Sequence, residues 1–215
     1  MARAARRTQA ERSGATRKLL LDATIDCLVG RGYASTTTTE IAARAGVSRG
    51  AQLHHFPSKA ELVTAALDHL FERRHAEYLD AVARLPTGAD RAEASIDLLW
   101  KVMTGPPFYA WLELVVAART DSALRKSISG VAERFAISVE ESFRAQFPDA
   151  QDGPFAGVAP GFTFALLQGL ALENILEGKR QRGRVQRVLE AFRALSQFVL
   201  PQVHAPQPAP PRRSR

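Results

Sequence analysis

The sequence contains a single cysteine, Cys27, and no run of apolar residues long enough to span a bilayer. One thiol can form neither an internal disulfide nor a thiolate cluster for a metal, so we expect a fold without either kind of cross-link. A membrane span needs roughly 20 consecutive apolar residues, and the first residues are basic and polar rather than an apolar signal core. We therefore expect a soluble, cytoplasmic protein with no membrane partner.

Sequence patterns that serve catalysis or cofactor binding are also scarce. We find no phosphate-binding loop of the Walker type, no His-Glu-x-x-His motif and no dinucleotide-binding glycine pattern. His54 and His55 are adjacent, and adjacent side chains on a helix point about 100° apart, so the two rings cannot face one metal ion. We expect no enzyme activity, no cofactor and no bound metal.

Charge is distributed unevenly along the chain. Residues 1–60 carry ten Lys or Arg against four Asp or Glu, residues 61–200 carry sixteen against eighteen, and the last fifteen residues carry three arginines and no acid. A basic N-terminal segment on a near-neutral body predicts a polyanionic partner for that segment. The alternative is that the basic residues only keep the chain soluble.

Helical periodicity dominates the sequence, and no alternating strand pattern or internal repeat is present. From Thr16 the apolar residues recur at spacings of three and four, which predicts a first helix that ends at Gly30-Arg-Gly32. Cys27 lies on the apolar face of this helix, so we interpret it as a core residue rather than a nucleophile.

Two short helices with clear start signals come next. Thr37 and Glu40 form a capping box that begins a second helix, and Gly46 turns the chain. Ser48 caps a third helix, which Phe56 and the following proline end. Two short helices joined by a tight glycine-containing turn predict a helix-turn-helix.

The rest of the chain is predicted to be helical as well. A capping box at Ser58 starts a long fourth helix, and further amphipathic or apolar segments follow at 92–103, 108–120, 121–146, 161–176 and 185–199. Residues 149–160 are expected to form a loop, and residues 201–215, which contain five prolines, a disordered tail. The predicted fold class is all-α.

The run Thr38-Thr-Glu-Ile-Ala-Ala-Arg-Ala-Gly-Val-Ser-Arg-Gly-Ala51, followed by His54-His-Phe-Pro-Ser-Lys-Ala-Glu-Leu62, resembles the DNA-binding domain of tetracycline-repressor (TetR) type regulators. The resemblance covers about residues 16–65. It implies a homodimeric transcriptional regulator, usually a repressor, with a C-terminal helical domain that dimerises and holds an inducer. One position departs from the family pattern, because Leu53 stands where a phosphate-contacting tyrosine is usual.

The residue types of the helix-turn-helix fit double-stranded DNA. A recognition helix needs polar and cationic groups at its N-terminal end and small residues where the backbone approaches the bases. Arg49 can form a bidentate contact with guanine, while threonines at a helix N-terminus and a nearby lysine can donate to phosphates. The predicted DNA-binding residues are Thr38, Thr39, Ser48, Arg49, Gly50, Ala51, Gln52, His54, His55 and Lys59.

The C-terminal body carries most of the large apolar side chains. These aromatic residues could simply fill a core, but with the resemblance we expect an inducer pocket lined by Trp100, Met103, Phe108, Trp111, Glu113, Phe162 and Asn174. The segment around residues 164–172 is apolar on nearly every face, which predicts a two-fold dimer interface. Its predicted residues are Leu166, Gly169, Leu170, Val188, Phe192 and Leu195.

Together these patterns predict four segments: a basic disordered arm (1–15), a helix-turn-helix domain (16–62), a ligand-binding and dimerisation domain (63–200) and the disordered tail (201–215). The predicted function is a ligand-responsive repressor, released from a palindromic operator by a small apolar molecule. One alternative is an all-α carrier or enzyme for hydrophobic molecules, which would show no salt-dependent duplex binding. The other is an architectural DNA-binding protein, which would bind all duplex sequences about equally and would not need the large apolar body.

Overall fold

The computed structural model describes residues 8–86, 90–148, 150, 157–176 and 183–199, and all regular structure within these ranges is helical. None of the helices in these ranges combines the length and hydropathy that a membrane span requires. The helices are α1 (Gln9–Ser35), α2 (Thr38–Ala45), α3 (Arg49–His55), α4 (Lys59–Ala83), α5 (Arg91–Met103), α6 (Pro106–Ala118), α7 (Ser122–Gln146), α8 (Ala159–Leu176) and α9 (Arg184–Val199). The all-α prediction is confirmed.

The first helix begins earlier than its apolar pattern indicates. Thr8 caps α1, since its hydroxyl accepts the Glu11 N–H at 3.2 Å while the Glu11 carboxylate accepts the Thr8 N–H at 2.7 Å. This capping box satisfies backbone groups that would otherwise be unpaired at the helix start. The expected disordered arm is therefore wrong for residues 9–15, and residues 1–7 and 200–215 lie outside the described ranges.

The end of α1 is bent at Gly32, close to the predicted helix end. Gly32 has φ 72° and ψ 171°, a conformation that glycine adopts without the steric cost of a Cβ atom. A Cβ at Gly32 would lie 2.5 Å from a carboxylate oxygen of Glu113 on α6. The backbone angle therefore favours glycine here, and any side chain would also displace the Glu113 carboxylate.

Packing divides the chain into two compact units, one of residues up to 74 with residues 105–135, and the other of residues 75–104 with those from 136 onward. One of the two buried clusters in the first unit lies beneath the two short helices. It joins α1, α2 and α4 through buried side chains, among them Leu20, Cys27, Ile41, Phe56 and Leu62. The prediction that Cys27 is a core residue is confirmed, and burial raises the pKa of its thiol.

A second cluster in the same unit connects α4 with α6 and the first half of α7. Its buried members include Val63, Leu67, Leu114 and Ile128, while Leu28 adds the end of α1. The compact unit thus extends past the predicted domain boundary at 62/63, because successive residues of α4 contribute to the two clusters: Leu62 to the first and Val63 to the second.

The second unit packs α5 against α8 and α9. Its buried residues include Ile96 on α5, Leu167 and Leu170 on α8, and Leu189 on α9. A guanidinium contact adds to this packing, since Arg193 donates to Asp97 through Nε at 2.7 Å and Nη2 at 2.6 Å.

We expect Gly32→Ala to lower the free energy of unfolding by about 1–3 kcal/mol, because alanine disfavours positive φ and its Cβ would displace the Glu113 carboxylate. Gly30→Ala is the matched control, since Gly30 is helical with no atom within 4 Å of a built Cβ. That change should stabilise the fold by about 0.5–1 kcal/mol. Urea unfolding of both variants checks the pair; equal effects would contradict the assigned strain at Gly32.

Candidate nucleic-acid interface

The turn between α2 and α3 is closed by local side chains. The Thr37 hydroxyl accepts the Glu40 N–H at 3.2 Å and the Ser48 hydroxyl accepts the Ala51 N–H at 3.1 Å, so both helices are capped at their N-termini. Gly46 takes the left-handed conformation between them, with φ 67° and ψ 28°. These contacts fix the direction in which the seven-residue helix α3 leaves the turn.

The N-terminal end of α3 presents polar and small residues to solvent. Ser48, Arg49, Gly50 and His54 are exposed, and Arg49 Nη1 donates to the hydroxyl of Thr39, which is itself exposed at the start of α2. This contact places a guanidinium and a hydroxyl side by side on one surface. Donors in this arrangement suit base edges and phosphate oxygens.

Nothing inside the fold requires glycine at position 50. A Cβ built on Gly50 would meet only the Ser48 hydroxyl, at 3.9 Å, and its backbone is ordinary helix. The open space above it therefore faces outward, which favours the interpretation that a partner approaches the backbone at this point.

One predicted DNA-binding residue, Gln52, points into the core. Gln52 is fully buried, and its Nε2 donates to the Phe56 carbonyl at 2.7 Å. It lies four residues before the buried Phe56, so both face the core. The prediction that Gln52 contacts DNA is wrong, because its side-chain amide hydrogen-bonds to the backbone at the C-terminal end of α3.

Three other predicted contacts, Thr38, Ala51 and His55, are half-buried, and so is Lys59. Lys59 Nζ donates to the Tyr33 carbonyl at 2.7 Å and lies 4.0 Å from the centre of the Tyr33 ring. Partial burial lowers the pKa of the Lys59 ammonium. The ammonium that was predicted to contact phosphate is therefore held against the bent end of α1.

The acidic residues around the helix-turn-helix are all engaged with neighbouring groups. Arg31 pairs with Glu40 at 2.7 Å and Arg44 with Asp26 at 3.7 Å, on the exposed sides of α1 and α2. Asp22 accepts from Lys18 at 2.7 Å, and although partial burial opposes it, Lys18 and His69 hold the pKa of this carboxyl below its ordinary value.

Three arginines on the same domain, Arg12, Arg17 and Arg49, have no carboxylate partner among the described residues. The Arg17 guanidinium lies 5.4 Å from the centre of the Phe56 ring, at the end of α3. Positive potential therefore remains on the surface that carries α3, as expected for a polyanion-binding face.

The letters Gly46-Val-Ser-Arg-Gly50 match the Gly-x-Ser-x-Gly pattern of serine hydrolases. In those enzymes the serine stands on a turn from a strand into a helix and is paired with a histidine. Here the segment joins two helices, and the Ser48 hydroxyl caps α3. The pattern therefore marks a helix start rather than a nucleophile.

The residues predicted for the inducer pocket belong to both compact units. Trp100, Met103, Phe162 and Asn174 are in the second unit, with Met103 buried and Asn174 exposed; Phe108, Trp111 and Glu113 are in the first. Glu113 has a different role from the predicted one, because its Oε2 accepts the Tyr33 N–H at 3.0 Å. The remaining pocket residues stay a prediction.

The residues predicted for the dimer interface separate into two groups. Gly169, Val188 and Leu195 are exposed on the single chain and Leu166 is half-buried. Leu170 and Phe192 are buried inside the protomer, at 6% and 8% exposure. Assigning these two to the interface was wrong. Leu170 is on α8, whose sequence is apolar on nearly every face, and Phe192 is on the apolar face of α9, which packs inside the protomer.

Known transcriptional regulators are similar to this chain in the residues that form the helix-turn-helix. The family model for bacterial regulatory proteins of the TetR family matches residues 20–66. The HTH-type transcriptional regulator CymR of Pseudomonas putida is 38% identical over 136 residues, which cover 63% of this chain and 67% of CymR. An HTH-type transcriptional regulator of Mycobacterium bovis is 30% identical over 172 residues, covering 80% of this chain and 84% of that protein.

Solved structures share the fold. A TetR-family transcriptional regulator from Rhodococcus superposes with a TM-score of 0.66 at 19% identity, covering 87% of this chain and 99% of the other. A regulator from Saccharomonospora viridis, solved in complex with choline, gives 0.62 at 18% identity, covering 86% and 96%.

The chain therefore belongs to the TetR family: it is a DNA-binding transcriptional regulator, not an enzyme. The resemblance read from residues 38–62 is confirmed. The alternative of a carrier or enzyme that does not bind DNA is not supported by these relatives.

Leu53, which replaces the usual tyrosine, is 44% exposed on α3. A larger side chain at this position meets solvent rather than the core, so we expect Leu53→Tyr to change the free energy of unfolding by less than about 0.5 kcal/mol. Its hydroxyl should donate to a phosphate and tighten duplex binding. Leu53→Phe, which adds the same ring without a hydroxyl, is the control. Equal gains from both variants, or a lower Tm for Leu53→Tyr, would contradict this interpretation.

Proposed function

We propose that the protein is a homodimeric repressor that binds a palindromic operator through the N-terminal end of α3 and is released by a small molecule. The observation that carries the proposal is the exposed set Thr39, Ser48, Arg49 and Gly50 on a domain in which Asp22, Asp26 and Glu40 are paired with cations. Within this proposal α1, α2, α3 and the start of α4 form the DNA-binding domain, and the later helices dimerise and bind ligand.

Arg49 is proposed to read a base in the major groove. It is exposed, and it is the one long cationic side chain in the first turn of α3. The Thr39 hydroxyl that accepts its Nη1 orients the guanidinium across the opening of the helix. An oriented guanidinium suits guanine N7 and O6, which accept its two parallel donors.

A comparison of Arg49→Ala with Arg17→Ala tests this role on duplexes selected from a random pool. We expect Arg49→Ala to weaken the selected site by about 1–3 kcal/mol and to relax preference at one base pair in each half-site. Arg17→Ala removes another exposed cation and should weaken all duplexes evenly, with a salt slope lower by about one. Unchanged sequence preference in Arg49→Ala would refute the assignment.

A two-fold dimer is supported by an apolar surface on α8 and α9. On α8 the exposed residues Phe162, Leu172 and Leu176 recur at helical spacing, with Gly169 on the same face. On α9 the exposed Val188 and Leu195 are seven residues apart, which is two turns. Exposed apolar stripes on two helices are energetically unfavourable in a monomer. They fit a four-helix interface between two copies of the chain.

We expect Leu172→Glu combined with Leu195→Glu to give a folded monomer that loses operator binding, because two unpaired charges per chain would be buried in the interface. Leu79→Glu is the control, since Leu79 is similarly exposed, at 39%, but lies on α4. Sedimentation at micromolar concentration and circular dichroism provide the readouts. A double variant that remains dimeric would contradict the proposed surface. Leu170→Glu should instead unfold the protomer.

Release by a small molecule is the third part of the proposal, beside DNA binding and dimerisation. It is supported by membership of the TetR family and by the structural neighbour from Saccharomonospora viridis, which was solved in complex with choline. A ligand shifts such an equilibrium only by its differential affinity for the DNA-bound and free states. The operator must then weaken ligand binding by the same factor by which the ligand weakens operator binding.

A further inference from the structure

A groove of about 300 Å³ lies between α6 and α7 in the first compact unit. At about 30 Å³ per water molecule in the liquid, this is room for a ligand of about ten non-hydrogen atoms. It lies apart from the predicted DNA-binding residues, and of the residues predicted for the inducer pocket only Trp111 lines it.

The floor of the groove is apolar. Ala118 on α6 and Ile128 on α7 are buried beneath it, and Val115 is 41% exposed at its side. Trp111 closes one end, and its indole packs on Phe71 with ring centres 5.5 Å apart. A half-buried indole in the lining adds a large apolar contact surface, which favours a ligand with an aromatic ring.

Two arginines line the same groove. Arg119 ends α6 and Arg125 is on the first turn of α7, and both are exposed with no carboxylate partner among the described residues. The nearest acid in sequence, Asp121, accepts the Leu124 N–H at 2.9 Å and so caps α7. Two guanidiniums beside an apolar floor complement a carboxylate attached to an apolar body.

We propose that this groove binds a small amphipathic carboxylate, with its apolar body on Trp111 and Ile128 and its carboxylate between Arg119 and Arg125. The site is also placed to affect DNA binding, a consequence that rests on the proposed function. Glu113, which holds the Tyr33 N–H at the end of α1, lies two residues from both Trp111 and Val115, on the opposite side of α6. A ligand that moves α6 toward α7 therefore acts on that contact.

The test uses the fluorescence of Trp111 in the full-length Trp100→Phe variant, because the chain has only two tryptophans. The probe is 3-phenylpropionate, titrated without DNA, and the neutral comparison is 3-phenylpropanamide. We expect a saturable change in Trp111 emission with the acid and at least about tenfold weaker binding of the amide, since the charge-assisted contacts are lost.

Two variants establish where the probe binds. Arg119→Gln with Arg125→Gln should remove the preference for acid over amide, and Ser129→Phe, which fills the groove from its exposed edge, should abolish both responses. Arg187→Gln on α9 is the control and should leave the titration unchanged. Absence of a saturable response in the parent, or a response that survives Ser129→Phe, would overturn the proposal. Because no DNA is present, either result is independent of whether the chain represses an operator.

Discussion

The proposed DNA-reading surface is carried by a short helix, α3, that would not be stable by itself. Seven residues are too few for an isolated helix, because nucleation costs more than so short a ladder returns. Helix α3 therefore persists through its surroundings: the Ser48 cap at one end, the Gln52 amide bonded to the Phe56 carbonyl at the other, and the core beneath Phe56. Since α1, α2 and α4 build that core, the position of Arg49 follows from the packing of the whole domain.

The backbone of one residue, Tyr33, is hydrogen-bonded to two of the helices that follow α3. The Tyr33 N–H is held by Glu113 on α6 and its carbonyl by Lys59 at the start of α4, just after the bend at Gly32. Tyr33 is also close in sequence to the start of α2. A displacement of α6 would therefore act on the end of α1, four residues before the Thr37 cap. Within the proposed function, this contact is where a shift of α6 would reach the helix-turn-helix.

Much of this structure could be predicted from the sequence, since caps and glycine turns are local signals. Thr37, Gly46 and Ser48 act within four residues of themselves, and the helices they delimit are present. The position of a side chain could not be predicted where its partner is distant in the sequence or where its polarity does not match its burial. Gln52 is polar but faces inward, and Leu170 lies on a helix apolar on all sides, so only tertiary packing decides what it touches. The contacts of Lys59 and Glu113 join residues far apart in sequence and leave no periodic pattern.

In the proposed complex the N-terminal half of α3 faces DNA in each of two symmetric copies. Affinity cleavage measures this directly: an iron chelate attached at Leu53→Cys cuts the nearby strands of a selected duplex, while the buried Cys27 thiol is not labelled. We expect two cleavage centres placed symmetrically about the site, in major grooves separated by about one helical turn or a multiple of it. No cleavage from position 53, or the same pattern from a chelate at Leu79→Cys, would contradict it.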